Sequence, residues 1–364
     1  MAPKVSKAIV LRHIPGRKGE VYYPIEKIFL PIPPLSANSV LVKISAVALN
    51  HRDFYVRQDL YPNVRFGVPL CCDGSGTVIA VGSAVSQKWL NRRVIINPGQ
   101  GWDNHPGAPE SECGYRTLGA SPAGTGTLQE YMTVDEKDVF AMPEHLNDAE
   151  AAALPTAGLT AWRALMINSR NAIPGRNILI TGVGGGVALM AMQFALAAGC
   201  NVFVTSGSSE KLRRAEEMGA HGGALYTDSN WDEKLLKLLP RERGRFDAIV
   251  DSAGGDIVDR GVRLLKNGGV IVTLGMTLGP SVKYPMKAVI RQIALVGTGM
   301  GSRKDLGDML EFVHANRITP VVSRAISGID DVEQIDAFIG EMGKGSQFGK
   351  LVVEIEKKEG LSKL

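Results

Sequence analysis

The sequence predicts an α/β chain of two domains, the second built on a doubly wound parallel sheet. Three observations predict it. A chain of 364 residues is long for one core and suits two. Near residue 145 its texture changes from short strand-like runs to alternating strands and helices. At 177–198, NILITGVGGGVALMAMQFALAA, a buried strand runs through glycines directly into an apolar helix.

Taken in order, the first half offers the strands SVLVKISAVAL (39–49), GTVIAVG (76–82) and RRVIINP (92–98), broken by Pro, Gly, Asn and Asp. Residues 99–126 are rich in Gly, Pro and Ser without periodicity, so a long loop or lobe is expected there. Asn147 or Asp148 can N-cap a helix through AEAAALP, with Glu150 in its first turn. Strands follow at NILITG, NVFVTS, FDAIVDS, GGVIVTLG and IALVGTG, separated by helices such as SEKLRRAEEMGA and DIVDRGVRLLK. That alternation implies parallel strands with crossover helices. A helix (302–315), a strand near 319–325, a helix (329–342) and the strand GKLVVEIE are expected to return to the first domain.

Composition narrows the function. A formal charge of +4 with interspersed signs and no basic stripe argues against nucleic acid as a partner. No apolar run is long enough to span a bilayer. The four cysteines, Cys71, Cys72, Cys113 and Cys200, form no CxxC pair and no disulfide framework. The beginning MAPKVSKAIVLRH lacks a secretory pattern, so synthesis in the cytosol is expected. The last residues, Ser362-Lys363-Leu364, read as the tripeptide recognised by the peroxisomal import receptor; the location is otherwise cytoplasmic.

The glycine turn is the strongest functional signal. Gly184, Gly185, Gly186 and Val187 lie where a strand-to-helix turn brings backbone N–H groups and a helix N-terminus to a pyrophosphate. The end of the next strand reads Thr205-Ser206-Gly207-Ser208-Ser209, followed by Lys211, Arg213 and Arg214. No carboxylate stands at that strand end to hold a ribose 2′-hydroxyl, and hydroxyls and cations that suit a 2′-phosphate are near, which points to NADP(H). Glu210 counts against this, and exposed cations on a helix are often merely solvated. Tyr226 is either a ribose-phosphate contact or a packing residue.

With these residues in place, the chain resembles the medium-chain dehydrogenase/reductase superfamily, and more closely its zinc-free, quinone oxidoreductase-like branch. The resemblance rests on ALNHRD (48–53), PLCCDGSGTVIAVG (69–82), GTLQEYMTV (126–134), ALPTAGLTAWRAL (153–165), TGVGGGVALMAMQFA (181–195), LGMTLGP (274–280) and GTGMGSR (297–303). It implies a GroES-like β-barrel catalytic domain from 1–156 and 299–364, with a Rossmann NADP(H)-binding domain, 157–298, inserted. Carried over, the positions of catalytic zinc ligands fall on Asn50, Cys72-Asp73 and Thr156. Only Cys72 and Asp73 could ligate, and sequence neighbours normally point apart, so no metal is expected. The structural zinc lobe keeps only Cys113, and Asp73 to Gly76 read as a turn into the next strand.

Without a metal to stabilise an alkoxide, the resemblance favours conjugated acceptors, quinones or enones, whose enolate needs only hydrogen-bond donors. Asn50, Asp53 and Tyr55 match polar positions around the nicotinamide. Tyr55 is the expected proton donor with His51 the alternative; a packing aromatic and a surface or phosphate contact are the competing readings. Thr160, Leu274, Gly275, Thr298 and Gly299 are expected along the cofactor, and Lys350 either contacts it or is a solvated lysine. A homodimer through the edge strand near IALVGTG is implied. Two other functions stay open: a 2-enoyl thioester (enoyl-CoA) reductase, with Arg52, Arg57 and Arg65 as a basic rim, and a non-catalytic nucleotide-binding protein with a structural or RNA role.

Overall fold

The computed structural model describes residues 3–275 and 281–356, so 276–280 of the LGMTLGP segment and the Ser362-Lys363-Leu364 address lie outside the described residues. The chain packs as two compact units, Met1–Thr156 with Ser302–Leu364, and Ala157–Gly301.

The first unit is organised on the strand Ser39–Ala48, which pairs antiparallel with Asp73–Val81, Tyr131–Asp135 and the last strand, Lys350–Glu354. Arg93–Ile96 and Val139–Ala141 extend one side of the sheet, and Val322–Ser327 runs parallel to the last strand on the other. Val40, Val42 and Ile44 enter a large apolar core with Ile9, Leu70 and Val94. Ala46 and Ala48 pack with Ala152, Ala153 and Val352, where the short helix Asp148–Ala152 lies against the sheet. Asn147 caps that helix by accepting from the Glu150 N–H, and Glu150 accepts in return from Asn147.

Register then sets the functional geometry. Val352 lies opposite Ala48, and Ala48 opposite Asp73. The Leu49 N–H still donates to the Leu351 carbonyl at 2.9 Å. Counting two residues back from Val352 and two on from Ala48 brings Lys350 to Asn50, at the end of the sheet where Asp73 begins its strand.

Two local expectations need correction. Residues 73–76 are the first residues of the strand Asp73–Val81 rather than a turn. The turn comes earlier, at Cys71, whose φ is +63°. The glycines serve close packing instead: a Cβ on Gly76 would stand 2.2 Å from the Lys43 carbonyl oxygen. The expected long loop at 99–126 carries a small antiparallel pair, Gly99–Gln100 with Arg116–Thr117.

The second unit is a six-stranded parallel sheet. Its strand order is Gly222–Leu225, Asn201–Ser206, Asn177–Ile180, Phe246–Asp251, Leu265–Thr273 and Ala294–Gly297. Numbered along the unit this is 3-2-1-4-5-6, the doubly wound order of a dinucleotide-binding sheet. The strand expected from Gly268 begins three residues earlier, at Leu265. The central strands Asn177–Ile180 and Phe246–Asp251 are buried at every position, and their polar members Asn177, Asp247 and Asp251 are hydrogen-bonded inside.

Candidate active site

In the first unit, five side chains meet at the end of the sheet. Asp73 is fully buried, and both of its oxygens are engaged twice. Oδ1 accepts from the Thr156 N–H at 2.9 Å and the Thr156 hydroxyl at 2.6 Å. Oδ2 accepts from Asn50 Nδ2 at 3.0 Å and Lys350 Nζ at 3.1 Å. Lys350 also donates to Asn50 Oδ1 at 2.6 Å. Thr156 follows Pro155 at the start of the helix Pro155–Trp162. Its N–H is therefore one of the amides without an intrahelical partner, and a carboxylate is favoured there.

Cys72 completes the group. Its sulfur is 3.2 Å from Thr156 Oγ1, 3.6 Å from Asn50 Nδ2 and 3.8 Å from Asp73 Oδ1. Cys72 and Asp73 thus converge on Thr156 rather than point apart, Cys72 lying in a bend just before the strand that begins at Asp73. Burial, and then the Asp73 charge, push the Cys72 thiol far up, so it is a protonated, enclosed thiol rather than a reactive one at a cleft.

The four positions corresponding to catalytic zinc ligands are therefore together in space, yet the donor set does not fit zinc. Asp73 has no free lone pair, Asn50 receives an ammonium, and Thr156 spends its hydroxyl on Asp73, which leaves Cys72 alone as a side chain able to ligate. A catalytic zinc needs three ligands able to give it electron pairs.

The helix His51–Arg57 starts directly beside this group. Asp53 is fully buried and accepts from the Asn50 N–H at 2.8 Å, so it anchors Asn50 rather than facing outward. Burial raises its pKa to about 6, with the Arg52 guanidinium opposing the shift. His51 is exposed on one side, and burial of the remainder together with the Lys350 charge lowers its pKa. Its ring lies 6.3 Å from that of Tyr55. Among the described residues the half-buried Tyr55 hydroxyl makes no hydrogen bond. Tyr61, which the sequence did not single out, is faced by the Arg52 guanidinium at 5.5 Å.

Lys350 is not a solvated lysine: it is 6% exposed and committed to Asp73 and Asn50. Arg57 is 1% exposed, donates to the Tyr23 carbonyl and lies 3.9 Å over the Tyr22 ring. It pairs with Asp336 and offers nothing to a ligand's phosphates. Arg52 donates one nitrogen to the Gly119 carbonyl and lies 3.8 Å from Asp53, its Nε and Nη1 making no hydrogen bond among the described residues, while Arg65 is exposed.

The second unit carries the glycine turn. Gly184 has φ +127°, a conformation open to glycine, and a Cβ there would strike the Lys211 side chain at 2.8 Å. Gly185 is the N-cap of the helix Gly186–Ala197, and no atom lies within 4 Å of where its Cβ would be. Gly186 and Val187 form the first turn. Ser206 is buried and donates to the Val183 carbonyl at 3.1 Å, so it ties the strand end to the turn. Burial and neighbouring Arg214 lower the Lys211 pKa. Tyr226 is 54% exposed and its hydroxyl lies against Gly207, where a Cβ would be only 2.5 Å away. Arg213 turns instead to Glu217, an exposed pair along the helix.

At the carboxyl end of the sheet, the Leu274 N–H donates to the Asp251 carbonyl and the Thr298 N–H to the Thr273 carbonyl. Gly275 crosses so closely that a Cβ would meet the Ser252 carbonyl oxygen at 2.3 Å, whereas Gly299 faces open space. The Thr298 hydroxyl is buried and has no hydrogen-bond partner among the described residues. Thr160 is buried with its hydroxyl 3.7 Å from Met300 Sδ. Asp251, which sequence reading missed, accepts from the Thr181 hydroxyl at 2.7 Å and the Gly254 N–H at 2.7 Å, bracing the loops around the turn.

Comparisons with known proteins agree with this architecture. Residues 36–144 match the alcohol dehydrogenase GroES-like domain, and 186–315 the zinc-binding dehydrogenase family. A zinc-type alcohol dehydrogenase-like protein, YogA, of Leptosphaeria maculans is 46% identical over 95% of this chain and 99% of its own. A solved structure described as an alcohol dehydrogenase from Sinorhizobium meliloti 1021 superimposes with a TM-score of 0.85 at 30% identity, covering 98% of this chain and 100% of its own. An acryloyl-coenzyme A reductase of Metallosphaera sedula is 25% identical over 91% of this chain and 96% of its own. With its GroES-like and Rossmann-type units, its glycine turn and a relative of this closeness along nearly its whole length, the chain belongs to the medium-chain dehydrogenase/reductase superfamily and is an oxidoreductase.

Proposed function

We propose that the protein is an NADPH-dependent reductase of α,β-unsaturated carbonyl compounds or quinones that works without zinc. One observation carries the reading: the carboxylate at the metal position is saturated by four hydrogen bonds, one of them from an ammonium. A carbonyl substrate then has no seat for a Lewis acid, and its developing negative charge must be met by hydrogen bonds, which suits an enolate better than an alkoxide.

A reduced nicotinamide cofactor fits the second unit and, when bound, supplies a hydride. The open face at Gly185, the helix N-terminus at Gly186 and Val187, and the unpartnered Thr298 hydroxyl are groups that would hold it. Lys211 and Tyr226 beside Gly184 and Gly207 are suited to a 2′-phosphate. Thr160, Leu274, Gly275 and Gly299 are assigned to the same groove by position.

The unbonded Tyr55 hydroxyl donates the proton, with His51 the alternative donor, while Asp53 and Asn50 fix the start of their helix. Hydride to the β-carbon and a proton to the enolate then balance the reduction of the double bond. The acryloyl-coenzyme A reductase relative is consistent with such a substrate class, whereas the buried Arg57 argues against the basic rim imagined for coenzyme A.

We assign the peroxisome as the site of action on Ser362-Lys363-Leu364, and a homodimer on the edge strand Ala294–Gly297, beside which Met286 and Ile290 are 68% and 76% exposed. The test is NADPH oxidation by the purified protein with a quinone, a simple enone and an enoyl-CoA in parallel, repeated with Tyr55→Phe. Turnover of one acceptor, falling about 100-fold or more in the variant, is expected. Turnover of none would leave a nucleotide-binding protein without catalysis, and oxidation of simple alcohols dependent on zinc would overturn the metal-free mechanism.

A further inference from the structure

One buried ammonium answers one buried carboxylate at the end of the first unit's sheet. Lys350 and Asp73 are 6% and 0% exposed, and Asn50 bridges them by donating to Asp73 and accepting from Lys350. Cys72 and Thr156 close the other side as neutral partners. The group sums to zero charge, and every acceptor position of Asp73 is filled. A divalent ion placed there would add two uncompensated charges. It would have to displace either the Lys350 ammonium or the Thr156 donors from Asp73.

We propose that Lys350 is a built-in replacement for a metal ion: a side-chain cation that neutralises the Asp73 seat and shuts divalent metals out of it. The proposal deepens the reading of a metal-free reductase and rests on it for its functional meaning. Its geometry stands by itself. Two features separate this seat from a metal centre, the ammonium and the lack of a third anionic donor. Position 50 is where that donor would enter, since the Asn50 side chain already reaches within 3.6 Å of Cys72 Sγ and 3.0 Å of Asp73 Oδ2. A thiolate there, with Cys72 and Asp73, makes the three ligands that a tetrahedral ion with one open position requires.

Cobalt(II) is the probe, because thiolate ligation gives it charge-transfer and d–d absorption. The full-length protein in a Cys113→Ser background, which removes the exposed thiol, is compared with N50C, K350M and N50C/K350M. The N50C/K350M protein is expected to take up about one cobalt per chain with a tetrahedral thiolate spectrum, and N50C with Lys350 intact none. N50C/K350Q serves where loss of the amine unfolds the chain, since the glutamine amide can still donate to Asp73 but carries no charge. Equal cobalt binding by N50C with and without Lys350 would overturn exclusion by the ammonium. A folded double variant of either kind that binds no cobalt would overturn the metal-like geometry. Neither readout involves turnover, so failure of the enone and quinone assays leaves this proposal standing, and its failure leaves those assays intact.

Discussion

The two functional regions of this chain are built in opposite ways. The polar group at the end of the first unit's sheet is closed upon itself: Asp73, Lys350, Asn50, Thr156 and Cys72 answer one another. Among the described residues the glycine turn of the second unit is left open, with unfilled space before Gly185 and a buried Thr298 hydroxyl lacking a partner. Buried polar groups are nearly always satisfied, so an orphan at a strand end marks the place of a ligand, while a closed network marks a place from which one is kept out. The comparison teaches where added ligand should matter and where it should not.

The largest effect is expected from breaking the closed region. Lys350→Met leaves Asp73 charged, buried and short of one partner, and loss of one member of a buried pair costs about 3–5 kcal/mol. Lys350→Met with Asp73→Asn removes both charges and should recover most of that loss. Urea unfolding followed by intrinsic fluorescence reads the difference. Equal destabilisation in single and double variants would mean the network is held by packing rather than by charge.

Next in size is a pH effect within the same region. Asp53 is fully buried and its pKa is raised to about 6 from 3.8. The folded state therefore holds its proton over a range where the unfolded state has released it. The contribution to stability is fully present below 3.8 and is lost as pH rises through about 6. A shift of roughly two units corresponds to about 3 kcal/mol. Asp53→Asn keeps an acceptor for the Asn50 N–H but cannot ionise. Its stability relative to the natural chain should rise by about that amount between pH 4 and pH 7, measured by urea midpoints across the range. Parallel curves for the two proteins would show that Asp53 does not titrate in this way.

How much of this was legible in the sequence differs between the same two regions. The second unit was nearly complete on paper, because a strand, a glycine turn and a helix are contiguous and their periodicities are local. The return of the last strand to the first domain was also legible, but its consequence was not. Lys350 and Asn50 lie 300 residues apart, and only the register of Lys350–Glu354 against Ser39–Ala48 makes them neighbours. The missing signal was one of charge: Asp73 sits at the head of an apolar strand and had to find a cation. The Asp73 to Gly76 segment misread as a turn for a related reason. Its glycines look like turn residues, and their close approach to Lys43 and Thr127 appears only when the strands are paired. Asp251 escaped because nothing local distinguishes an acid that braces loops from one at the surface.

The smallest effect sharpens the open region. If the turn is shaped for a cofactor bearing a 2′-phosphate, the charge that recognises it should be Lys211, whose side chain runs against Gly184 and whose ammonium is disfavoured by burial and Arg214. A bound phosphate would relieve both. Lys211→Ala should weaken NADPH binding by about 10–100-fold, the worth of a charge-assisted hydrogen bond of about 1.5–3 kcal/mol, and leave NADH binding nearly unchanged. The measurement is quenching of protein fluorescence by each cofactor with the full-length protein. Because Lys211 is partly exposed on the helix Ser209–Glu217 and lies outside the apolar core, the unfolding midpoint without cofactor should stay within about 0.5 kcal/mol of the natural chain. A variant that loses NADH and NADPH equally would make Lys211 a support for the glycine turn itself, and the choice between the two cofactors would then fall to Tyr226 and the hydroxyls at 206–209.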